Sequence, residues 1–503
     1  MTKTCARDSI AGSAPVNGRI FVRHAVAPNP VLLLPGCDAG KRPSADSEVR
    51  QLAPAPLPRC GRSRRRVWSW SLSALICLGF LPSTSAAQSA DQNPEPRRPR
   101  LRDTTLGYNG PSDDFTNLTE IRIGWFGPSN LDDPLTGDLW WAANLAVQEA
   151  NTQTKECGKR PADLRKAEGE TPDPELVTRH SFPSLPFRLI PRWSVNPWGT
   201  GVSQLARMVY DEQPLALLGS MDSATTHLAE QVVAKAQLPL VSPIATDKSV
   251  TFAGVSWMFS CAPGDDAVAR VLVEAVQAEL KSPADKTVLL ATTDHESRMT
   301  ARELMRQLSR GGRRPDFRFD VPPGAMDIVQ QLQATTEAKP AVVVIIASAE
   351  DSARLTQAVR EKVGTAAIFG GESMGRRRFT ELAGSAAEGV RFPLLFVPNS
   401  ADTTTAHFIE RFTSEHHRPP DYTAALTYDA TRLLVEAIRR AGPNRARIRE
   451  ALAQLSPWPG IAGTIHFDGT GQNTRTDLCL GTIRNGAVLP MTAPSNRSNT
   501  PKL

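Results

Sequence analysis

The sequence has no CxxC pair, although it carries seven cysteines in 503 residues. They are scattered singly and offer no zinc-ligand spacing. Four of them, Cys5, Cys37, Cys60 and Cys77, precede position 88, leaving Cys157, Cys261 and Cys479. That odd number allows one disulfide with a free thiol, or three reduced thiols. Walker and G-x-G-x-x-G loops are also missing, so nothing in the sequence cradles a nucleotide phosphate. A general excess of basic charge is lacking too. The net charge of +6 arises in the first 87 residues, where twelve Lys/Arg face four acids; the rest holds 46 basic and 48 acidic residues, a net of −2. A nearly neutral body gives no electrostatic footprint for nucleic acid. The mostly apolar stretch at 67–81 has only fifteen residues, too few to span a bilayer comfortably.

That stretch does have the form of a signal peptide. Arg62, Arg64, Arg65 and Arg66 form a basic n-region, 67–81 the apolar h-region, and Ser85-Ala86-Ala87 a small-residue cleavage site. Residues 60–87 are therefore expected to be removed near Ala87, delivering the chain to the periplasm or otherwise exporting it. Residues 1–59, rich in Pro, Ala and Arg, read as disordered or as untranslated sequence ahead of a downstream start. Residues 88–117 read as a linker, 152–182 as a charged surface insertion and 491–503 as a flexible tail.

From residue 121 onward, short apolar runs alternate with amphipathic stretches. Strands are expected at 121–126, 187–190, 215–218, 238–241, 287–292, 317–321, 341–347 and 367–369, with helices between them. The run AVVVIIA (341–347) is almost purely β-branched, as a central parallel strand should be. The fold class that follows is α/β with parallel doubly wound sheets. Ala262-Pro263-Gly264 interrupts the alternation and divides it into two sets. At 215–246 the pattern is strand, polar turn, helix, strand, polar turn. This βαβ unit places hydroxyls and a helix N-terminus at the carboxyl ends of two strands, where open α/β sheets bind ligands and an anion is favoured.

Five stretches carry a resemblance that runs from about residue 121 to 485: GDLWWAANLAVQEAN (137–151), GSMDSATT with SPIAT (219–226, 242–246), FGGE (369–372), GSAAEGV (384–390) and TYDATRLLVEAI (427–438). In order and spacing they resemble type I periplasmic binding proteins, specifically the Leu/Ile/Val-binding family of ABC transporter receptors. The resemblance implies two α/β lobes joined by a three-crossing hinge, 118–262 plus 399–461 and 263–398 plus 462–490. It implies a non-enzymatic monomer that captures an amino acid or related small polar solute, without cofactor or metal, and docks on a membrane permease. The ligand carboxylate would be held by Ser223 and by Ile244 and Thr246, and its ammonium by Glu372 from the other lobe. A zwitterion needs donors at one end and a carboxylate at the other.

Departures and alternatives stand beside this. Ser223 and Thr246 could simply cap backbone. Ser348 stands where the family places an aromatic. Asp294-His295-Glu296 replaces a frequent tyrosine; these residues read as surface groups, or as marks of a more polar or cationic ligand. Trp140, Trp141, Trp193 and Trp198 are assigned to core packing. Gly371-Glu372-Ser373-Met374-Gly375 matches G-x-S-x-G, which raises a serine hydrolase with Ser373 as nucleophile. Against it, the motif leads into Arg376-Arg377-Arg378 where a packed helix is required, and His407, His416, His417 and His466 have no convincing acid partner. His416-His417 without further ligands reads as a solvated helix end. A sensor of the same fold feeding a signalling partner is the remaining alternative.

Overall fold

The computed structural model describes residues 115–158, 185–194, 196–252, 255–326, 328–399 and 401–491. The leader, most of the linker, most of the 152–182 insertion and all but one residue of the tail lie outside them, as does the side chain of Cys157.

Two sheets organise the chain. The first is ordered Gln472–Asn473, Met258–Pro263, Leu240–Ser242, Ala216–Gly219, Ile121–Phe126, Phe187–Pro191, and every pairing in it is parallel. The second is ordered Ala487–Pro490, Cys479–Arg484, Arg391–Leu394, Ala367–Gly370, Val342–Ile346, Thr287–Thr292, Phe317–Val321. Its parallel core continues into an antiparallel edge at the last two strands of the chain. Helices cover both sheets, giving two α/β lobes. The chain passes from one sheet to the other after Met258–Pro263, after Arg391–Leu394, and between Asn473 and Cys479.

Burial explains why these residues form these layers. Val342 to Ile346 is buried at all five positions and is flanked by parallel partners on both sides, Val343 facing Val288 and Ile368. Side chains alternate across a strand, so only an apolar run can sit between two helical layers. In the first lobe Ile123, Leu218 and Val241 pack against Leu433, Leu434 and Ile438 of the Tyr422–Ala441 helix. That helix returns to the first sheet after the second crossing. Gly219 ends its strand at φ +127°, and a Cβ there would lie 2.6 Å from the Phe126 carbonyl oxygen. Only glycine fits that turn.

Several sequence expectations need correction. The Arg391–Leu394 strand was hidden by Pro393, which occupies an antiparallel register opposite Leu480. The residues after Gly375 do form a packed helix, Arg377–Ala383, with Phe379 and Ala383 buried under its arginines. The tryptophans divide: Trp141 is buried and stacks edge-on against Phe412, whereas Trp198 is 64% exposed and belongs to no core. Trp140 packs on Trp125, and Trp193 on Phe126. Cys261 is buried, Cys479 partly buried, and both are free thiols.

Candidate functional site

The carboxyl ends of strands from both sheets line one cavity of about 370 Å³. Leu240–Ser242 leads to Ile244 and Thr246, Thr287–Thr292 to Asp294, His295 and Glu296, Val342–Ile346 to Ser348, and Ala367–Gly370 to Glu372. This is the crevice outside the carboxyl ends of parallel strands, fed from two sheets at once. Its described lining contains six carboxylic residues and a single arginine, Arg376. That arginine is held by the Leu135 carbonyl and lies 4.0 Å from Asp421.

Three of the four residues singled out from the sequence come together here. Ile244 and Thr246 form part of one wall and Glu372 part of another. Glu372 opens a short helical turn, Glu372–Gly375. Its Oε2 is shielded from solvent and has no hydrogen-bond partner, and burial pushes its carboxyl above the ordinary range. Thr246 is buried, and its hydroxyl bonds the carboxyl of Asp265 beneath the cavity. Asp265 also accepts from Thr300 at 3.1 Å. Burial, reinforced by the charge of Glu372, lifts Asp265 to about 8.

Ser223 does not line the cavity. It is fully buried at the start of the Ser223–Ala236 helix, whose N-cap is Asp222, with Asp222 Oδ1 accepting from the Thr225 N–H at 2.7 Å. The Ser223 hydroxyl accepts from the Asp247 N–H at 3.2 Å and bonds the carboxyl of Glu296. Glu296 comes from the other lobe and accepts the Ala224 N–H at 2.9 Å. The chain's own acid therefore takes the Ser223 hydroxyl, which the resemblance reserves for a ligand carboxylate, together with the adjacent Ala224 N–H. Burial, together with the nearby charge of Asp222, raises Glu296 to about 8.

Asp294, His295 and Glu296 are thus not a solvated surface run. Asp294 caps the His295–Arg310 helix by accepting from the Ser297 N–H at 3.0 Å. His295 Nε2 lies 2.9 Å from Asp247 Oδ2 across the cleft, and His227 Nε2 lies 3.3 Å from the same oxygen. Burial alone would raise Asp247, but hydrogen bonds from His227, Ser249 and His295 outweigh it and hold the carboxylate well below its usual range. The hydrogen bond to Asp247 in turn raises His227. His416, by contrast, packs edge-on against Trp141 and at a tilt against Phe412.

Sequence reasoning overlooked Tyr422, a mostly buried ring at the cavity wall. It supplies an aromatic surface where Ser348, the N-cap of the Ala349–Lys362 helix, supplies none. Asp421, the helix N-cap that precedes it, was the available signal. Ser373 Oγ donates to the Ala347 carbonyl at 2.7 Å and lies 3.5 Å from Ser352 Oγ. Among the described residues no histidine bonds Ser373, so the nucleophile–base pairing that a serine hydrolase needs is not assembled.

Comparisons with known proteins agree with this architecture. The leucine-binding protein LivK of Thermotoga maritima superposes with a TM-score of 0.60 at 20% identity, covering 74% of this chain and 98% of its own. The branched-chain amino acid transporter substrate-binding protein LivJ of Streptococcus pneumoniae, in complex with isoleucine, gives 0.59 at 19% identity, covering 73% and 97%. A solute-binding protein of an R. palustris ABC transporter, in complex with benzoate, gives 0.59 at 14%, covering 74% and 95%. No curated protein sequence matches the chain. These likenesses establish the type I periplasmic-binding fold. The family model for periplasmic binding proteins matches residues 189–487, more than half of the sequence, and the chain belongs to that family.

Proposed function

We propose that this is an exported solute-binding protein that captures a small amine-bearing solute between its lobes and presents the closed form to an ABC transporter permease. The observation that carries the ligand class is Glu372. A carboxyl group whose Oε2 is enclosed and unpartnered, beside a cavity rich in further acids, lacks a donor. An ammonium group supplies one, as a charge-assisted hydrogen bond. Ile244 and Thr246 contribute the facing wall, Tyr422 an apolar ring beside the ligand, and Ser223 organises the helix start without touching the solute.

Two of the similar solved structures hold isoleucine and benzoate; both ligands bear a carboxylate, and isoleucine an amine as well. Here a ligand carboxylate competes with Glu296 for the Ser223 and Ala224 donors. The amine is therefore the anchoring end in this chain, and a carboxylate gains its place only by displacing Glu296. Cation capture also fits the single, already engaged arginine of the lining. Because the donor and acceptor walls belong to different lobes, ligand binding favours closure.

A thermal-shift screen of amino acids, amides, short-chain acids and polyamines tests the reading. Amine-bearing compounds are expected to raise Tm and short-chain acids to leave it unchanged. Stabilisation by the acids alone would overturn the assignment. Export is tested separately by mass spectrometry of the mature chain, whose N-terminus is expected at Gln88.

A further inference from the structure

We infer that His227, Asp247 and His295 form a binding site for a zinc-class divalent cation that clasps the two lobes at the mouth of the cleft. The inference does not depend on the identity of the solute. Among the described residues, this is the one group of three or more His, Cys, Asp or Glu side chains whose donor atoms converge, all lying within 4.8 Å of one another. His227 belongs to the Ser223–Ala236 helix and Asp247 to the turn after Leu240–Ser242, both in the first lobe. His295 is the first residue of the His295–Arg310 helix in the second lobe.

The distances suit coordination. Tetrahedral zinc with bonds of about 2.0–2.2 Å holds its ligand atoms roughly 3.3–3.6 Å apart. His227 Nε2 is 3.3 Å from Asp247 Oδ2, His295 Nε2 is 2.9 Å from the same oxygen, and all three donor atoms lie within 4.8 Å of one another, so they already surround one point at close to coordination spacing. The two imidazoles meet edge-on, with ring centroids 5.5 Å apart and planes at 75°.

The surroundings orient the donors. His227 Nδ1 lies 3.2 Å from Glu230 Oε2, which directs Nε2 toward Asp247. A carboxylate behind a histidine is the usual support for a metal-bound imidazole. Asp247 Oδ1 is fixed by the Ser249 N–H at 2.8 Å, while Oδ2 accepts the Ser249 hydroxyl at 2.7 Å and faces both rings; that hydroxyl also lies 3.0 Å from His227 Nε2 and would turn aside as an ion enters. Both histidine side chains are about a quarter exposed, at 24% and 29%, so an ion can enter from solvent. Two imidazoles and one oxygen suit zinc with an open fourth position; calcium and magnesium need more oxygen ligands than the group offers.

The mature chain, freed of metal with a chelator, is titrated with Zn²⁺ by calorimetry. One ion per chain is expected. His227→Ala and His295→Ala should each weaken binding by at least 100-fold, and Glu230→Gln by roughly 10–100-fold. Replacing His416 and His417 by alanine should change nothing, and Ca²⁺ and Mg²⁺ should not bind. Circular dichroism checks the fold of each variant. Co²⁺ on the unaltered chain gives a readout that needs no variant, with the intense visible absorption of a four-coordinate site expected. Absence of stoichiometric Zn²⁺ uptake, retention of wild-type affinity in either histidine variant, loss of affinity in the His416/His417 variant, or a weak six-coordinate Co²⁺ spectrum would each overturn the proposal.

Discussion

Replacing Glu372 by glutamine keeps the shape of the side chain and removes its ability to ionise. In the proposed complex Oε2 accepts a hydrogen bond from the ligand ammonium, a contact worth about 1.5–3 kcal/mol when one partner is charged. The raw Coulomb attraction at ~3 Å with an effective dielectric of ~20 is larger, about 5 kcal/mol. Part of it is offset because burial raises the carboxyl, so ionising Glu372 to receive the amine costs free energy. The expected net loss in Glu372→Gln is therefore about 1.5–3 kcal/mol, or roughly 10- to 150-fold in Kd. The assay is calorimetry with the amine that gives the largest Tm rise in the screen, run beside its deamino analogue. A second signature follows from the raised carboxyl. At a pH where Glu372 is protonated in the free protein, amine binding expels a proton, so the apparent enthalpy depends on buffer ionisation. That dependence should shrink in Glu372→Gln. Amine affinity within twofold of the unaltered protein, or equal losses for the amine and its deamino analogue, would refute the reasoning.

Three further outcomes are expected. Glu296→Ala frees the Ser223 hydroxyl and Ala224 N–H, so amino acids should gain about tenfold in affinity, ~1.4 kcal/mol, relative to the matching simple amines in a competition titration. Asp265 has a carboxyl raised to about 8 from an ordinary value near 4. The folded state therefore keeps a proton that the unfolded chain releases. Its stabilising contribution is full below pH ~4 and is lost as pH rises through about 8, with a slope of at most ~1.4 kcal/mol per pH unit. Urea unfolding across that range should show a shallower decline in Asp265→Asn than in the unaltered chain. Ile345→Ala leaves a cavity in the fully buried central strand of the second sheet and should cost about 2–5 kcal/mol, read by denaturant midpoint.

The fold was legible because its signals are local. AVVVIIA is apolar on both faces for a reason of layering, and the alternation of periods near 2 and 3.6 separates strand from helix without knowledge of contacts. Arg391–Leu394 was not, since a proline within a short run argues against a strand until it is known that the pairing with Ala367–Gly370 stops at Arg391, short of Pro393. The site was legible only in part. Thr246 and Glu372 stand at strand ends that topology alone brings to one cleft. Glu296 could not be recognised as the occupant of the Ser223–Ala224 donors, because Ala224 and Glu296 stand 72 positions apart in sequence and meet only where the two lobes do. The same holds for His227, Asp247 and His295, which share no spacing rule and converge only across the cleft. Tyr422 was missed for a related reason: the sequence offers a helix start there, but not which wall that start faces.

The central claim is capture between two lobes, and hydrogen exchange read by mass spectrometry tests it most directly. The mature chain is compared with and without a saturating amount of the strongest amine from the screen. Protection is expected together in peptides covering residues 244–247 of the first lobe and residues 371–376 of the second, and in both it should weaken in Glu372→Gln. Protection confined to one lobe, or lying outside the cavity altogether, would contradict the account.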